Sequence, residues 1–121
     1  MTEPVGHWKY VQVDSTDPAR LAEFWAAVLG VEVRGALGDP PHYVVLGGPT
    51  PEATRMAFQR VPDRAPGKNA LHVDLHVSDL AAATARVEEL GATRAQDVEE
   101  YGVSWRVMHD PEGNAFCLVL D

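Results

Sequence analysis

Two histidines and an aspartate alternate with apolar residues in the stretch LHVDLHVSD, residues 71–79. Successive side chains of a β-strand point to opposite faces, so His72, Asp74 and His76 share one face. Imidazole and carboxylate groups can bind a metal ion, move protons on a bound molecule, or form the polar wall of a ligand site. The solvent-facing side of a sheet would give the same pattern. The residue types alone leave these alternatives open.

The strand that carries these residues belongs to one half of an internal repeat. Each half begins with a strand of alternating residues, continues into an amphipathic helix behind a capping residue, and reaches a glycine that ends the helix. We predict the strands at 8–14 and 71–77, and the helices from Asp17 to Gly30 and from Ser78 or Asp79 to Gly91. The repeat indicates two modules of the same design.

Three shorter strands follow each helix, which gives both halves the order β-α-β-β-β. The last strands are similar, AFQRV at 57–61 and AFCLV at 115–119, and this similarity makes Gln59 the counterpart of Cys117. The predicted strands are 31–34, 42–47, 54–61, 92–96, 103–109 and 114–120.

The size and composition of the chain favour one compact domain. Its 121 residues are 45% hydrophobic, which is typical of a globular protein with a buried core. We therefore expect a single α+β domain, 1–121, of tandem βαβββ modules. The modules span about 7–61 and 70–121, and the connector spans 62–69.

Charge and cysteine content exclude several classes of partner. A net charge of −8 disfavours nucleic acid, because phosphates would be repelled. No apolar run is long enough to cross a bilayer, and the start MTEPVGHWKY lacks the pattern of a secretion signal. The single cysteine, Cys117, cannot form an internal disulfide, which indicates a reducing compartment. We expect a cytoplasmic protein without a membrane partner.

Three motifs together resemble the vicinal oxygen chelate superfamily, which includes glyoxalases, bleomycin-resistance proteins and extradiol dioxygenases. They are DPARLAEFW at 17–25 leading to Leu29-Gly30, Lys68-Asn69 with LHVDLHV at 71–77, and DPEGNAFC at 110–117. Within that superfamily the chain is similar to the glyoxalase-like subgroup. The resemblance implies curved mixed sheets around a U-shaped cavity with the helices outside. It also implies a homodimer, because a second chain often completes the cavity.

The resemblance also assigns a side to each residue of the first strand in each module. Apolar residues should pack under the helices: Val11, Val13, Val73, Leu75 and Val77. Polar and aromatic residues should face the cavity, and an aromatic wall would suit a flat or apolar ligand. The residues that we expect at the ligand are Trp8, Tyr10, Gln12, Gln59, His72, His76, Trp105 and Cys117.

Enzymes of this superfamily bind a divalent ion through residues from the first and last strands of each module, usually histidine and glutamate. The corresponding positions here are Tyr10, Gln59, His72 and Cys117, of which only His72 matches. Hard ions require carboxylate oxygens, and Asp74 is the only nearby carboxylate. We interpret this set as lacking a conventional metal centre and expect no cofactor. The alternative is a divalent metal such as zinc, held by His72, Gln59 and Cys117 as a thiolate.

The leading hypothesis is a protein that binds a small organic molecule in a partly aromatic cavity. The alternative is a lyase, isomerase or dioxygenase of the same superfamily. Such an enzyme would depend on a metal or use His72 as acid or base, with Tyr10 or Asp74 as partner. The missing carboxylate at Cys117 favours the binding protein or a metal-free enzyme, and we interpret Cys117 as a small buried hydrophobic residue.

Overall fold

A computed structural model of the chain describes residues 9–50, 53–63, 72–100 and 102–121. The chain divides into two compact units, Met1–Arg64 and Ala65–Asp121, called here the first and second units. Trp8 lies outside the described residues, as does most of the predicted connector, 64–69.

Both units have the predicted order of one helix among four strands. In the first unit the elements are β1 (Tyr10–Ser15), α1 (Pro18–Leu29), β2 (Val33–Leu37), β3 (Tyr43–Leu46) and β4 (Arg55–Arg60). In the second unit they are β5 (Val73–Val77), α2 (Leu80–Leu90), β6 (Thr93–Glu100), β7 (Val103–His109) and β8 (Ala115–Leu120).

Each unit contains a four-stranded mixed sheet. The strand orders are β1-β4-β3-β2 and β5-β8-β7-β6. The first and last strands of each unit pair in parallel, and the other pairs are antiparallel. These sheets, with one helix each, confirm the predicted α+β class built from βαβββ modules.

The predicted helix ends are confirmed by their capping groups. The Asp17 carboxylate accepts a hydrogen bond from the Arg20 amide at 3.4 Å, and Asp79 accepts one from Ala82 at 3.0 Å. Gly30, at a φ of 67°, ends α1 in the left-handed conformation that glycine adopts most readily. Neither helix of the described chain has the length and apolar character that a bilayer-spanning helix needs.

Two strands, β2 and β6, differ from the prediction by more than two residues at one end, and the other strands by at most two. β2 begins later than expected, because the amide of Val31 donates to the carbonyl of Ala26 and extends the end of α1. β6 continues to Glu100 rather than stopping at Gln96, because the polar run pairs with β7 as far as Val103. Cross-strand hydrogen bonding there overrides the weak strand propensity of the acidic residues.

The core of each unit lies between its helix and its sheet. α1 packs on β3 and β4, whereas α2 packs mainly on β8. Val11 was expected under a helix but is 39% exposed, because β1 is an edge strand and α1 covers more central strands. The buried apolar residues include Leu21, Ala22, Phe24, Trp25, Val44, Leu46 and Phe58 in the first unit, and Val87, Met108, Phe116 and Leu118 in the second.

Candidate functional site

One face of the second unit's sheet forms an open groove of about 640 Å³, called here the second-unit groove. Cys117 and Val119 of β8 line it, while Phe116 and Leu118, between and beside them, are buried. Because side chains alternate along a strand, the groove and the helix-covered core lie on opposite faces of one sheet. The lining residues are His72, Asp74, His76, Gln96, Val98, Glu100, Val103, Trp105, Val107, Ala115, Cys117 and Val119.

The structure brings together three of the predicted site residues in this groove. Nε2 of His72 lies 3.3 Å from Oδ1 of Asp74. Asp74 on β5 is directly opposite Cys117 on the parallel neighbour β8. The imidazole nitrogen, carboxylate oxygen and thiol sulfur all lie within 4.8 Å of one another. We call these three residues the His-Asp-Cys cluster.

His76 lines the same groove but has a different partner. Its Nδ1 lies 3.0 Å from Oδ1 of Asp121. The separation of His76 from the cluster agrees with the strand geometry, since four residues of extended chain span about 13 Å. His72 and His76 therefore offer two separate polar groups along one wall.

The opposite wall of the groove combines apolar and polar side chains. Trp105 lies there, and Val98 is its cross-strand partner on β6. Gln96 and Glu100 also line the groove, although they were not among the predicted site residues. The signal was present in the sequence, because residues 96, 98 and 100 keep the two-residue period up to the turn at Gly102.

On the first unit's sheet, the predicted site residues have a different arrangement. Tyr10 is 36% exposed, with the Lys9 ammonium 5.5 Å from its ring centroid. Gln12 lies opposite Ala57, and Gln59 lies opposite Asp14. In the second unit the residue at the same distance before the helix cap as Gln12 is Asp74, which lies opposite Cys117.

Ala57, not Gln59, is therefore the structural counterpart of Cys117, and the equivalence drawn from AFQRV and AFCLV is wrong by two residues. Strands of alternating residues keep the same faces when they shift by two, so sequence similarity does not distinguish the two alignments. The parallel pairing between the first and last strands of each unit distinguishes the two alignments. Ser15 and Val77, each two residues before a helix cap, pair with Arg60 and Leu120, so Arg60 corresponds to Leu120. The first unit thus places a methyl group where the second has a thiol.

The four positions that the resemblance assigns to a metal do not fit a hard divalent ion. They supply a phenol at Tyr10, an amide at Gln59, an imidazole at His72 and a thiol at Cys117. Mg²⁺ and Mn²⁺ bind chiefly to oxygen ligands that include carboxylates. Among the described histidine, cysteine and acidic residues, the group whose geometry suits an ion is the His-Asp-Cys cluster, which includes the additional residue Asp74.

A second concave region lies in the first unit, on the helix side of its sheet. It has a volume of about 640 Å³ and lies beside the end of α1, with Val11, Leu29 and Met56 among its apolar lining residues. Glu32 and Arg34 supply charges of both signs there. None of the predicted site residues that the structure describes lines this region, which is on the face opposite to that of Tyr10 and Gln12.

Behind the second-unit groove, a polar network joins α2 to the sheet. Nε and Nη2 of Arg106 donate to the two carboxylate oxygens of Asp97 at 2.6 and 3.2 Å. Nη1 of Arg106 donates to Oγ1 of Thr84, which is fully buried. The hydrogen bond from Arg106 lowers the pKa of Asp97, and the same bond raises the pKa of Arg106. The network fixes β6 against β7, and Trp105 and Val98 form the next pair on the groove face.

Comparisons with known proteins agree with this fold. The chain matches the Glyoxalase-like domain family over residues 10–119. It therefore belongs to that family, within the vicinal oxygen chelate superfamily. No curated protein sequence matches the chain significantly.

Solved structures of low sequence identity share the fold across nearly the whole chain. A glyoxalase/bleomycin resistance protein/dioxygenase family enzyme from Burkholderia phytofirmans PsJN is 18% identical, with 93% of this chain and 96% of that chain covered and a TM-score of 0.74. A superfamily member from Sphaerobacter thermophilus is 22% identical, with 97% and 98% covered and a TM-score of 0.68. A lactoylglutathione lyase from Agrobacterium tumefaciens is 16% identical, with 98% and 96% covered and a TM-score of 0.68.

Proposed function

We propose that the protein binds a small organic molecule in the second-unit groove. The observation that carries this proposal is the composition of the groove, which sets Trp105 and several valines opposite His72, Asp74 and His76. Ligand sites are mostly apolar surfaces with a few polar groups that orient the ligand. The volume of about 640 Å³ falls within the range of such sites.

The polar groups of the groove favour one kind of ligand. Asp74 and Glu100 supply negative charge to the lining, and the described lining residues include neither lysine nor arginine. An acidic groove attracts cations, and Trp105 offers an aromatic face that also binds cations. We therefore infer that the ligand is flat or apolar and carries a positive charge or hydrogen-bond donors.

A thermal-shift screen of cationic aromatic compounds against the whole chain tests this proposal. A ligand that binds the folded state raises the melting temperature with its concentration. Trp105→Ala should weaken the binding of a compound so identified by about tenfold or more, because one side of its contact surface is lost. Leu37→Ala, at a residue 69% exposed on β2, is the matched control. Equal affinities in the wild type and Trp105→Ala would place the ligand elsewhere and contradict the proposal.

The second candidate function is an enzyme of the same superfamily, a lyase, isomerase or dioxygenase. The contact between His72 and Asp74 favours it, since a carboxylate beside an imidazole can orient the ring toward a bound molecule. Mass spectrometry of each compound that binds, before and after incubation with the protein, would detect turnover. His72→Ala should abolish that turnover. If the variant converts the compound at the wild-type rate, His72 has no catalytic role.

We also propose that the protein acts as a homodimer in the cytoplasm. The resemblance to superfamily members whose cavities are completed by a second chain supports the dimer. The single, buried Cys117 supports a reducing compartment.

A further inference from the structure

We propose that the His-Asp-Cys cluster is a zinc site built from the second unit alone. His72 immediately precedes β5, Asp74 lies on β5, and Cys117 lies on β8. Such a site differs from one that takes ligands from both modules, and it uses Asp74 in addition to the positions that the superfamily pattern assigns. The zinc site can also be tested independently of the proposed organic ligand, because metal binding can be measured when no organic ligand is present.

The separation between His72 and Asp74 already suits zinc. In a tetrahedral zinc site the bonds to nitrogen and oxygen are about 2.0–2.1 Å, so two such ligand atoms lie about 3.3–3.4 Å apart. Nε2 of His72 and Oδ1 of Asp74 are 3.3 Å apart. One edge of the coordination tetrahedron is therefore present in the protein.

The third ligand requires only a small adjustment. A zinc–sulfur bond of about 2.3 Å places the sulfur about 3.6 Å from a nitrogen or oxygen ligand. The three ligand atoms here lie within 4.8 Å of one another, so a closing movement of about 1 Å completes the set. The side chains of His72 and Asp74 are 45% and 52% exposed and have room to move, whereas Cys117 is held on the buried strand β8.

The charge of the cluster matches a soft divalent ion. A thiolate and a carboxylate together balance the charge of Zn²⁺, and a neutral imidazole completes three protein ligands. Binding would release the thiol proton of Cys117, so that the metal and the proton exchange at one site. Mg²⁺ would obtain only one carboxylate from this cluster, and a thiolate is a poor ligand for it. The cluster should therefore select zinc and cobalt over magnesium.

Metal titration of the whole chain, stripped with a chelator, tests the site. Zinc binding would be followed by competition with a chromophoric indicator, and Co²⁺ by its absorption spectrum. We expect about one tightly bound zinc per chain and, with Co²⁺, a near-ultraviolet sulfur-to-metal charge-transfer band, which reports the thiolate directly. Millimolar Mg²⁺ should displace neither ion.

Three variants locate the site. Cys117→Ala should remove the charge-transfer band. Both Cys117→Ala and Asp74→Ala should weaken zinc binding by about 100-fold or more, which exceeds the loss typical for residues that only hydrogen-bond to a metal ligand. Because Asp74 is half exposed, its variant keeps the test valid if the buried Cys117 variant fails to fold. His76→Gln is the matched control, on the same strand and face but paired with Asp121.

The proposal is overturned if zinc binds with wild-type affinity in Asp74→Ala, or if Co²⁺ gives no thiolate band in the wild type. Equal competition by Mg²⁺ would also overturn it, since that would indicate an oxygen-ligand site. A zinc site can be present while the compound screen gives no ligand for the second-unit groove, and the reverse can also hold. Failure of one proposal is therefore distinguishable from failure of the other.

Discussion

At equivalent positions of the two units, the helix meets the sheet through different side chains. In the second unit, Arg106 on β7 reaches Thr84 on α2 and Asp97 on β6. In the first unit, the distance from the helix cap makes Ala22 the counterpart of Thr84. The strand pairing makes Val44 the counterpart of Arg106 and Ala36 the counterpart of Asp97. The first unit thus has small apolar side chains where the second has a hydrogen-bonded network.

The difference shows that one element order accepts two kinds of interior, provided that each is complete. A partly buried guanidinium is costly unless it finds hydrogen-bond acceptors, and Arg106 finds them in Thr84 and Asp97. Ala22 and Val44 need no such partners and gain stability from apolar burial alone, while Ala36 is exposed. Replacing one of these residues by its counterpart from the other unit would leave the contact between helix and sheet incomplete.

The sheet faces that the helices do not cover also differ, and at the positions of the His-Asp-Cys cluster the second unit again carries the more polar side chains. His72, Asp74 and Cys117 of the second unit correspond in register to Tyr10, Gln12 and Ala57 of the first. The second unit therefore holds a cluster with metal-binding and acid-base groups, and the corresponding positions of the first unit hold a phenol, an amide and a methyl group.

The largest effect should come from a feature that the two units share, a buried phenylalanine on the last strand, although the two phenylalanines are offset by two residues in register. Phe58 on β4 and Phe116 on β8 are both fully buried. Replacing either with alanine should lower the free energy of unfolding by about 3–5 kcal/mol, because apolar burial is lost and a cavity remains. Urea unfolding followed by circular dichroism measures this loss, with the leucine variants as milder controls. A cost below about 1 kcal/mol in only one unit would show that the two cores do not contribute equally.

A smaller effect should come from the polar network of the second unit. Thr84→Val should cost about 1 kcal/mol, because a guanidinium N–H of Arg106 loses its acceptor beside the buried helix face. The same substitution should cost little in an Arg106→Met background, which approaches the apolar contact of the first unit. Thr93→Val, at an exposed residue of β6, is the control. Equal costs of Thr84→Val in both backgrounds would show that the two residues are not coupled.

The smallest effect should be a change in stability at low pH. Arg106 lowers the pKa of Asp97 below the ordinary value of 3.8, so the folded state favours the charged carboxylate. This contribution to stability is present above pH 3.8 and is lost as the pH falls through the lowered pKa. The stability difference between the wild type and Asp97→Asn should therefore shrink in acid. It should be small throughout, because the carboxylate is exposed and screened. A difference that is unchanged between pH 7 and pH 2 would contradict this assignment.

Local patterns predicted much of the fold. The capping aspartates, the glycines that end both helices and the two-residue alternation of 71–77 are signals within a few residues, and the structure agrees with each. The prediction ended β6 too early, because its pairing with β7 is not a local property. Of the predicted site residues, the structure groups His72, Asp74 and Cys117 and places His76 and Trp105 in the same groove.

The sequence by itself determined the repeat, the order of the elements and the face on which each strand residue lies, because all of these follow from short-range periodicity. Only the tertiary structure decided that Asp74 lies opposite Cys117, and that Ala57 rather than Gln59 is the first unit's counterpart. It also decided that Arg106 meets Thr84 and Asp97. The physical reason is that strand pairing joins residues far apart in the chain, and an alternating strand can slip by two residues without changing the pattern that the sequence displays.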